Sequence, residues 1–161
     1  MSDVHAESAE NHHASRKFLT FLVDAVSYAV HIRHVVEIIG MQHITPLPGA
    51  PPHIRGVINL RGAVIPVMDL HARFGLPPFA YNDRTCIVVV EVDHIKEGLI
   101  VDTVSEVLDM PLSNVESTPE MGRDPGTTLV EVIGKVGDEV RLILDIRRVL
   151  GIAPAPVRAA A

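Results

Sequence analysis

Between residues 17 and 151 the chain alternates short apolar runs with brief polar breaks. "FLTFLV" (18–23), "YAVHI" (28–32), "GVINL" (56–60) and "AVIPVM" (63–68) are β-branched or aromatic-rich and of strand length. "CIVVVEV" (86–92), "GLIVD" (98–102), "TLVEVIGKV" (128–136) and "VRLIL" (140–144) continue the pattern. The breaks at Val92–Glu97 and Val136–Glu139 read as hairpin turns. Two segments, "DLHARFG" (69–75) and "DIRRVLG" (145–151), predict short helices. Each opens with an Asp suited to capping free N–H groups and closes with a Gly suited to a left-handed end. Residues 1–16 and 152–161 lack periodic apolar positions and are expected to be mobile tails.

The two helical ends expose an internal repeat. A shift of 76 carries Val64 onto Val140, Asp69 onto Asp145, Leu70 onto Ile146 and Gly75 onto Gly151. Further upstream a shift of 69 carries Asp24 onto Asp93, Ala29 onto Gly98, Val35 onto Val104, Glu37 onto Glu106 and Ile38 onto Val107. The difference of 7 places an insertion in the second copy, in the Pro- and Gly-bearing stretch 110–126. Two small β-units follow, at about 17–80 and 84–151, with exchange of terminal segments between them left open. Units this small bury little surface alone, so they are expected to pack together. The fold class is all-β with short helices. About five strands per unit favour a small closed or nearly closed barrel, because closure removes exposed edges.

Composition narrows the function. Apolar residues are 47% of the 161, with few aromatics and no Trp, so the core is aliphatic. A net charge of −6 with scattered Lys and Arg gives no phosphate-tracking stripe, so nucleic acid is not expected as a partner. The single cysteine, Cys86, excludes an internal disulfide and fits a reducing compartment. The polar N-terminus is neither signal peptide nor anchor, and no apolar run reaches the roughly 20 residues of a membrane helix. A cytoplasmic protein without direct membrane insertion is expected.

Enzyme signatures are lacking: no GxxxxGK[ST], no GxGxxG after a strand, no GxSxG and no HExxH. Cys86 lies in a strand and reads as a structural thiol. The nine His, among them His31, His34, His43, His53, His71 and His94, have no recurring ligand spacing and read as scattered surface residues. Neither a metal nor another cofactor is expected, nor any catalytic residue. Glu106 reads as a solvent-facing residue, and its repeat equivalent Glu37 is undecided on pattern alone.

Arg61 falls in "GVINLRGAVIPVMDLHARFG" (56–75), at the tip of a turn between two apolar runs. It is either a solvated turn residue or a recognition residue, since a guanidinium offers five donors in a planar fork. The second copy has Gly137-Asp138-Glu139 at the equivalent turn, so the repeat itself does not require the Arg. Gly62 would supply the positive φ that lets two strands close beneath it.

The segments "FLTFLV…YAVHIRHVVEIIG", "ITPLPGAPPHIRGVINLRGAVIPVMDLHARFG" and "EGLIVDTVSEVLDMP" together resemble the CheW-like chemotaxis coupling proteins. The resemblance covers about 17–151 in order, and "GVINLRG.VIPV.DL" and "G.IVD.V..VL" carry it independently. It implies two SH3-like five-stranded barrels and no catalysis. It implies an adaptor joining the cytoplasmic tip of chemoreceptors to the regulatory domain of a CheA-type histidine kinase. Array assembly goes with that role, and weak self-association is compatible with it. Carried over by position, Arg61, Val35, Glu37, Gly98, Val101, Val104 and Val107 fall at receptor-binding positions. Gly56, Glu37 and Val35 fall at kinase-binding positions. The first hairpin departs from the family, with Ala25 and Val26 where a Gly-acid pair is usual. An adaptor of a non-flagellar chemosensory system remains an alternative, as does a β-barrel binding a small ligand or a metal.

Overall fold

The structure is a computed structural model and describes residues 15–111, 114–117 and 129–152. The expected tails at 1–14 and 153–161, and residues 112–113 and 118–126 of the expected insertion, lie outside that range. Strands β1 (Ser15–Val23) and β2 (Val26–His31) are followed by a 3-10 turn (Ile32–His34) and β3 (Val35–Gly40). Next come β4 (Ile54–Leu60), β5 (Ala63–Asp69) and helix α1 (Leu70–Arg73). Strands β6 (Cys86–Val92), β7 (Ile95–Val101), β8 (Thr103–Pro111) and β9 (Val115–Ser117) follow. The chain then forms β10 (Val130–Val136), β11 (Glu139–Leu144) and helix α2 (Ile146–Leu150).

The expected all-β fold of two packed units is present. One sheet has the order β8-β1-β2-β11-β10-β9, the other β3-β6-β7-β5-β4. The repeat is visible in three dimensions: β1–β2 matches β6–β7, β3 matches β8, and β4–β5–α1 matches β10–β11–α2. The first hairpin, β1–β2, pairs with β8 and β11 of the second copy, so each sheet mixes strands of both copies. Ladder hydrogen bonds do not join the outer strands of either sheet among the described residues. Strand β1 includes Ser15 and Arg16, inside the stretch read as a tail, because they pair with Pro111 and Met110 through backbone groups that need no apolar side chain. Ile152 likewise packs against the core. The stretch read as an insertion loop contains the end of β8 and all of β9.

Strands such as β6 are apolar on both faces because they serve two cores. Ile87 and Val89 face a cluster with Ile58, Ile65, Val67 and Ile100, inside the five-stranded sheet. Val88, Val90 and Val92 face a larger cluster that joins the sheets, with Leu19, Phe21, Val23, Met68, Leu99 and Leu144. A third cluster around Phe18, Ala29, Met110 and Ile143 fills the six-stranded sheet. Burying each such side chain is worth about 1.5–3 kcal/mol. The shared central cluster packs the two units against each other.

Both helices end as expected. Asp69 accepts the N–H groups of His71 and Ala72, Asp145 accepts that of Arg148, and Gly75 and Gly151 take positive φ just past the last turn.

Candidate functional site

The β4–β5 hairpin turns on two residues, since Leu60 pairs with Ala63. Both Arg61 (φ 51°) and Gly62 (φ 86°) are left-handed, as type I′ turns require. Asn59 Oδ1 accepts the Gly62 N–H at 2.9 Å and secures the turn. The Arg61 guanidinium meets the Glu37 carboxylate with both prongs, Nη1 to Oε1 at 2.5 Å and Nη2 to Oε2 at 2.8 Å. The Arg61 side chain is 75% exposed and that of Glu37 only 19%. The bond to Glu37, and then its charge, raises the Arg61 pKa above the ordinary value. Arg61 is thus a turn residue held in one pose with most of its surface facing solvent. Glu37 sits on β3 and Arg61 directly follows β4, the two outer strands of one sheet.

The strands next to this pair also expose apolar residues. Val64 of β5 is 68% exposed, and Val36 and Ile38 of β3 are exposed on the face opposite Glu37. Val35 is half-buried against the central core. On the other sheet Val107 is 52% exposed and Val104 is half-buried. Gly98 and Val101 are different: both are buried, Val101 in the central cluster, and a Cβ at Gly98 would come within 2.7 Å of Ile87 Cγ2. Neither offers a partner a side-chain surface, so the expectation that both line a groove meets a packing reason for their identity. Gly56 is also buried, with φ 148°, and a Cβ there would overlap the Thr45 carbonyl. Its close approach lets Thr45 and Val57 exchange two backbone hydrogen bonds of 2.9 Å along the outer edge of β4.

The sequence reading did not find a polar seam beside helix α1. Asp69 is fully buried, and its Oδ2 accepts from Arg55 (3.2 and 3.3 Å) and from the Tyr81 hydroxyl (2.7 Å). Burial, reinforced by that carboxylate, pushes the Tyr81 phenol up to about 12. His71 and His31 are buried, contrary to the expectation of surface histidines. His71 Nε2 lies 2.7 Å from Asp102 Oδ1, and Phe79 stacks on its ring. Arg73 donates to the carbonyls of Val149 and Arg148, both at 2.9 Å, tying α1 to the end of α2. The His spacing alone gave no signal for this seam, because its partners come from distant elements. Cys86 is half-buried, and burial raises its thiol above the ordinary value. Among the described residues no cluster of His, Cys, Asp or Glu is placed to hold a metal ion, and no helix is long and apolar enough to cross a membrane.

Residues 17–153 match the family described as CheW-like domain. The chain is 37% identical over 134 residues to the Bacillus subtilis protein named Chemotaxis protein CheW, covering 83% of this chain and 86% of that one. It is 27% identical over 124 residues to Protein FrzA of Myxococcus xanthus, covering 77% and 78%. A crystal structure titled scaffolding protein TtCheW, from Thermoanaerobacter tengcongensis, superposes with a TM-score of 0.76 at 35% identity, covering 81% of this chain and 88% of that one.

Proposed function

This chain belongs to the CheW-like domain family, and from that membership we propose that it is a non-enzymatic cytoplasmic adaptor. It couples the cytoplasmic tips of chemoreceptors to the regulatory domain of a CheA-type histidine kinase and helps assemble their array. The observation that carries this reading is Arg61: a guanidinium fixed in pose by Glu37 and Asn59's turn, yet mostly exposed at a hairpin tip. A preset, exposed fork costs little ordering on binding. Exposed Val64 beside it, and Val107 on the other sheet, supply apolar contact for a helical receptor tip. Arg61, Glu37, Val35, Val104 and Val107 are then direct contacts. Gly98 and Val101 support the receptor-facing strands from beneath, and Gly56 supports the kinase-facing edge. Signalling would be conformational, with receptor state changing kinase activity through two contact faces.

A co-precipitation with a receptor tip fragment and the kinase tests this reading, comparing the native chain with Arg61→Glu. The expected result is a ternary complex that loses the receptor and keeps the kinase in the variant. Absence of both partners from the native complex contradicts it.

A further inference from the structure

Asp102 stands between β7 and β8, where the chain leaves the five-stranded sheet and enters the six-stranded one. Its Oδ2 accepts the backbone N–H of Asp24 at 2.9 Å, and its Oδ1 lies 2.7 Å from His71 Nε2. Its own N–H donates to Leu22 O at 3.0 Å. Asp24 is the tip of the β1–β2 hairpin, and His71 belongs to α1, which follows β5 of the other sheet. One carboxylate therefore ties a hairpin of one sheet to a helix of the other, at the crossover itself.

His71 depends on this arrangement. A carboxylate only accepts, which assigns the ring proton to Nε2. Nδ1 is buried with no hydrogen-bond partner among the described residues. Without Asp102 both ring nitrogens would be buried unpaired. The repeat supplies a comparison. A shift of 76 takes His71 to Arg147, which pairs at 2.7 Å with Asp93 at the tip of the β6–β7 hairpin. Each helix thus holds the leading hairpin of the opposite sheet. Only the first does so through a buried ring and a residue of the crossover; in the second pair Arg147 is half-buried and Asp93 exposed.

We propose that Asp102 is a positioning residue for receptor binding, fixing β8 and its Val104 and Val107 relative to the hairpin that carries Arg61. The proposal rests on the adaptor reading. Val104 is two residues beyond Asp102, and β8 is an outer strand held along β1, whose hairpin tip Asp102 grips. A receptor touching Arg61 on one sheet and Val107 on the other is sensitive to any change between them. A kinase domain that reads one unit's edge is not.

The test uses Asp102→Ala in the full chain, titrated by calorimetry with a soluble helical-hairpin fragment of a chemoreceptor tip and, separately, with a kinase regulatory domain. Hydrogen exchange at the Asp24 amide reports the lost contact. We expect that amide to exchange at least about tenfold faster. Receptor affinity should fall about tenfold while kinase affinity stays within about threefold. Asp93→Ala, which breaks the counterpart pair at its exposed partner and leaves the crossover untouched, should leave receptor affinity within about twofold. Unchanged receptor affinity despite a deprotected Asp24 amide overturns the proposal. So does an equal loss for both partners, or an equal loss in Asp93→Ala. If Asp102→Ala does not fold, Asp102→Ser, whose single short hydroxyl cannot reach both partners, is judged by the same criteria. A native chain that binds no receptor fragment overturns the adaptor reading and this proposal with it, whereas native binding unaffected by the substitutions overturns the proposal alone.

Discussion

Glu37 lies on one outer strand of the five-stranded sheet and Arg61 in the turn that follows the other, and their side chains join the two edges with a two-pronged ion pair. The sheet is left open by its ladders and bridged by charge. Because the pair is exposed on the Arg side, added salt screens it. Replacing Arg61 should therefore disturb binding far more than unfolding. Thermal melts of Arg61→Glu and the native chain, at low and high salt, check this, and a large loss of stability would make the Arg a structural strut.

Two glycines should separate stability from binding. Gly56→Ala drives a Cβ into the Thr45 carbonyl at positive φ and should cost about 3 kcal/mol or more. At Gly62 an added Cβ meets no atom within 4 Å, so the main cost of Gly62→Val is the left-handed backbone penalty, about 1–2 kcal/mol. Its larger effect should be on receptor affinity, through a displaced Arg61. Denaturant unfolding and receptor titration of both variants give the comparison.

The first hairpin holds two non-glycine residues at positive φ, Asp24 at 52° and Ala25 at 64°. Asp-Gly is the favoured pair for such a turn. Ala25→Gly should therefore raise stability by about 1 kcal/mol, since it removes the strain of an alanine there. A higher midpoint in urea is expected, and a lower one would show that the Ala side chain contributes packing that outweighs its backbone cost.

Glu97, on β7 beside Gly98, gives the fold a pH dependence. Burial pushes its carboxyl up to about 7 from an ordinary 4.5, with the Arg73 charge pulling part of the way back, and its Oε2 has no hydrogen-bond partner among the described residues. The folded state therefore holds this proton more tightly than the unfolded chain. Its contribution is full below 4.5 and is lost as pH rises through about 7. His34 and His53, lowered by burial, slope the other way below 6.5, so the native curve alone is ambiguous. Glu97→Gln should remove the decline between pH 4.5 and about 7, and a decline retained in Glu97→Gln would assign it elsewhere.

Much of this was legible in the chain. Doubly buried strands announced themselves as unbroken Val, Ile and Leu runs, and the Asp…Gly brackets marked both helices. The repeat survived because equivalent strands face equivalent cores. β3 and β8 were harder: each is an outer strand interrupted by Glu37 or by Ser105-Glu106, with exposed apolar residues that break the in-out alternation. Arg61 could be singled out from its turn, and Glu37 from family position, but nothing in their spacing of 24 residues says that they touch. Gly98 and Val101 illustrate the converse, positions tied to binding by resemblance whose local environment is core. Asp102 and His71 meet only because the chain crosses between sheets at that point, a relation no short motif encodes.

The most direct measurement is calorimetric titration of a chemoreceptor tip fragment into the native chain, Arg61→Glu, and the charge-swapped Glu37→Arg/Arg61→Glu. The swap restores an ion pair across the sheet edges but offers the partner an inverted tip. If Arg61 contacts the receptor, both variants should lose at least about tenfold in affinity and the swap should recover nothing. Native-like affinity in Arg61→Glu, or full recovery in the swap, would contradict a recognition role and leave the pair as a clasp of the sheet.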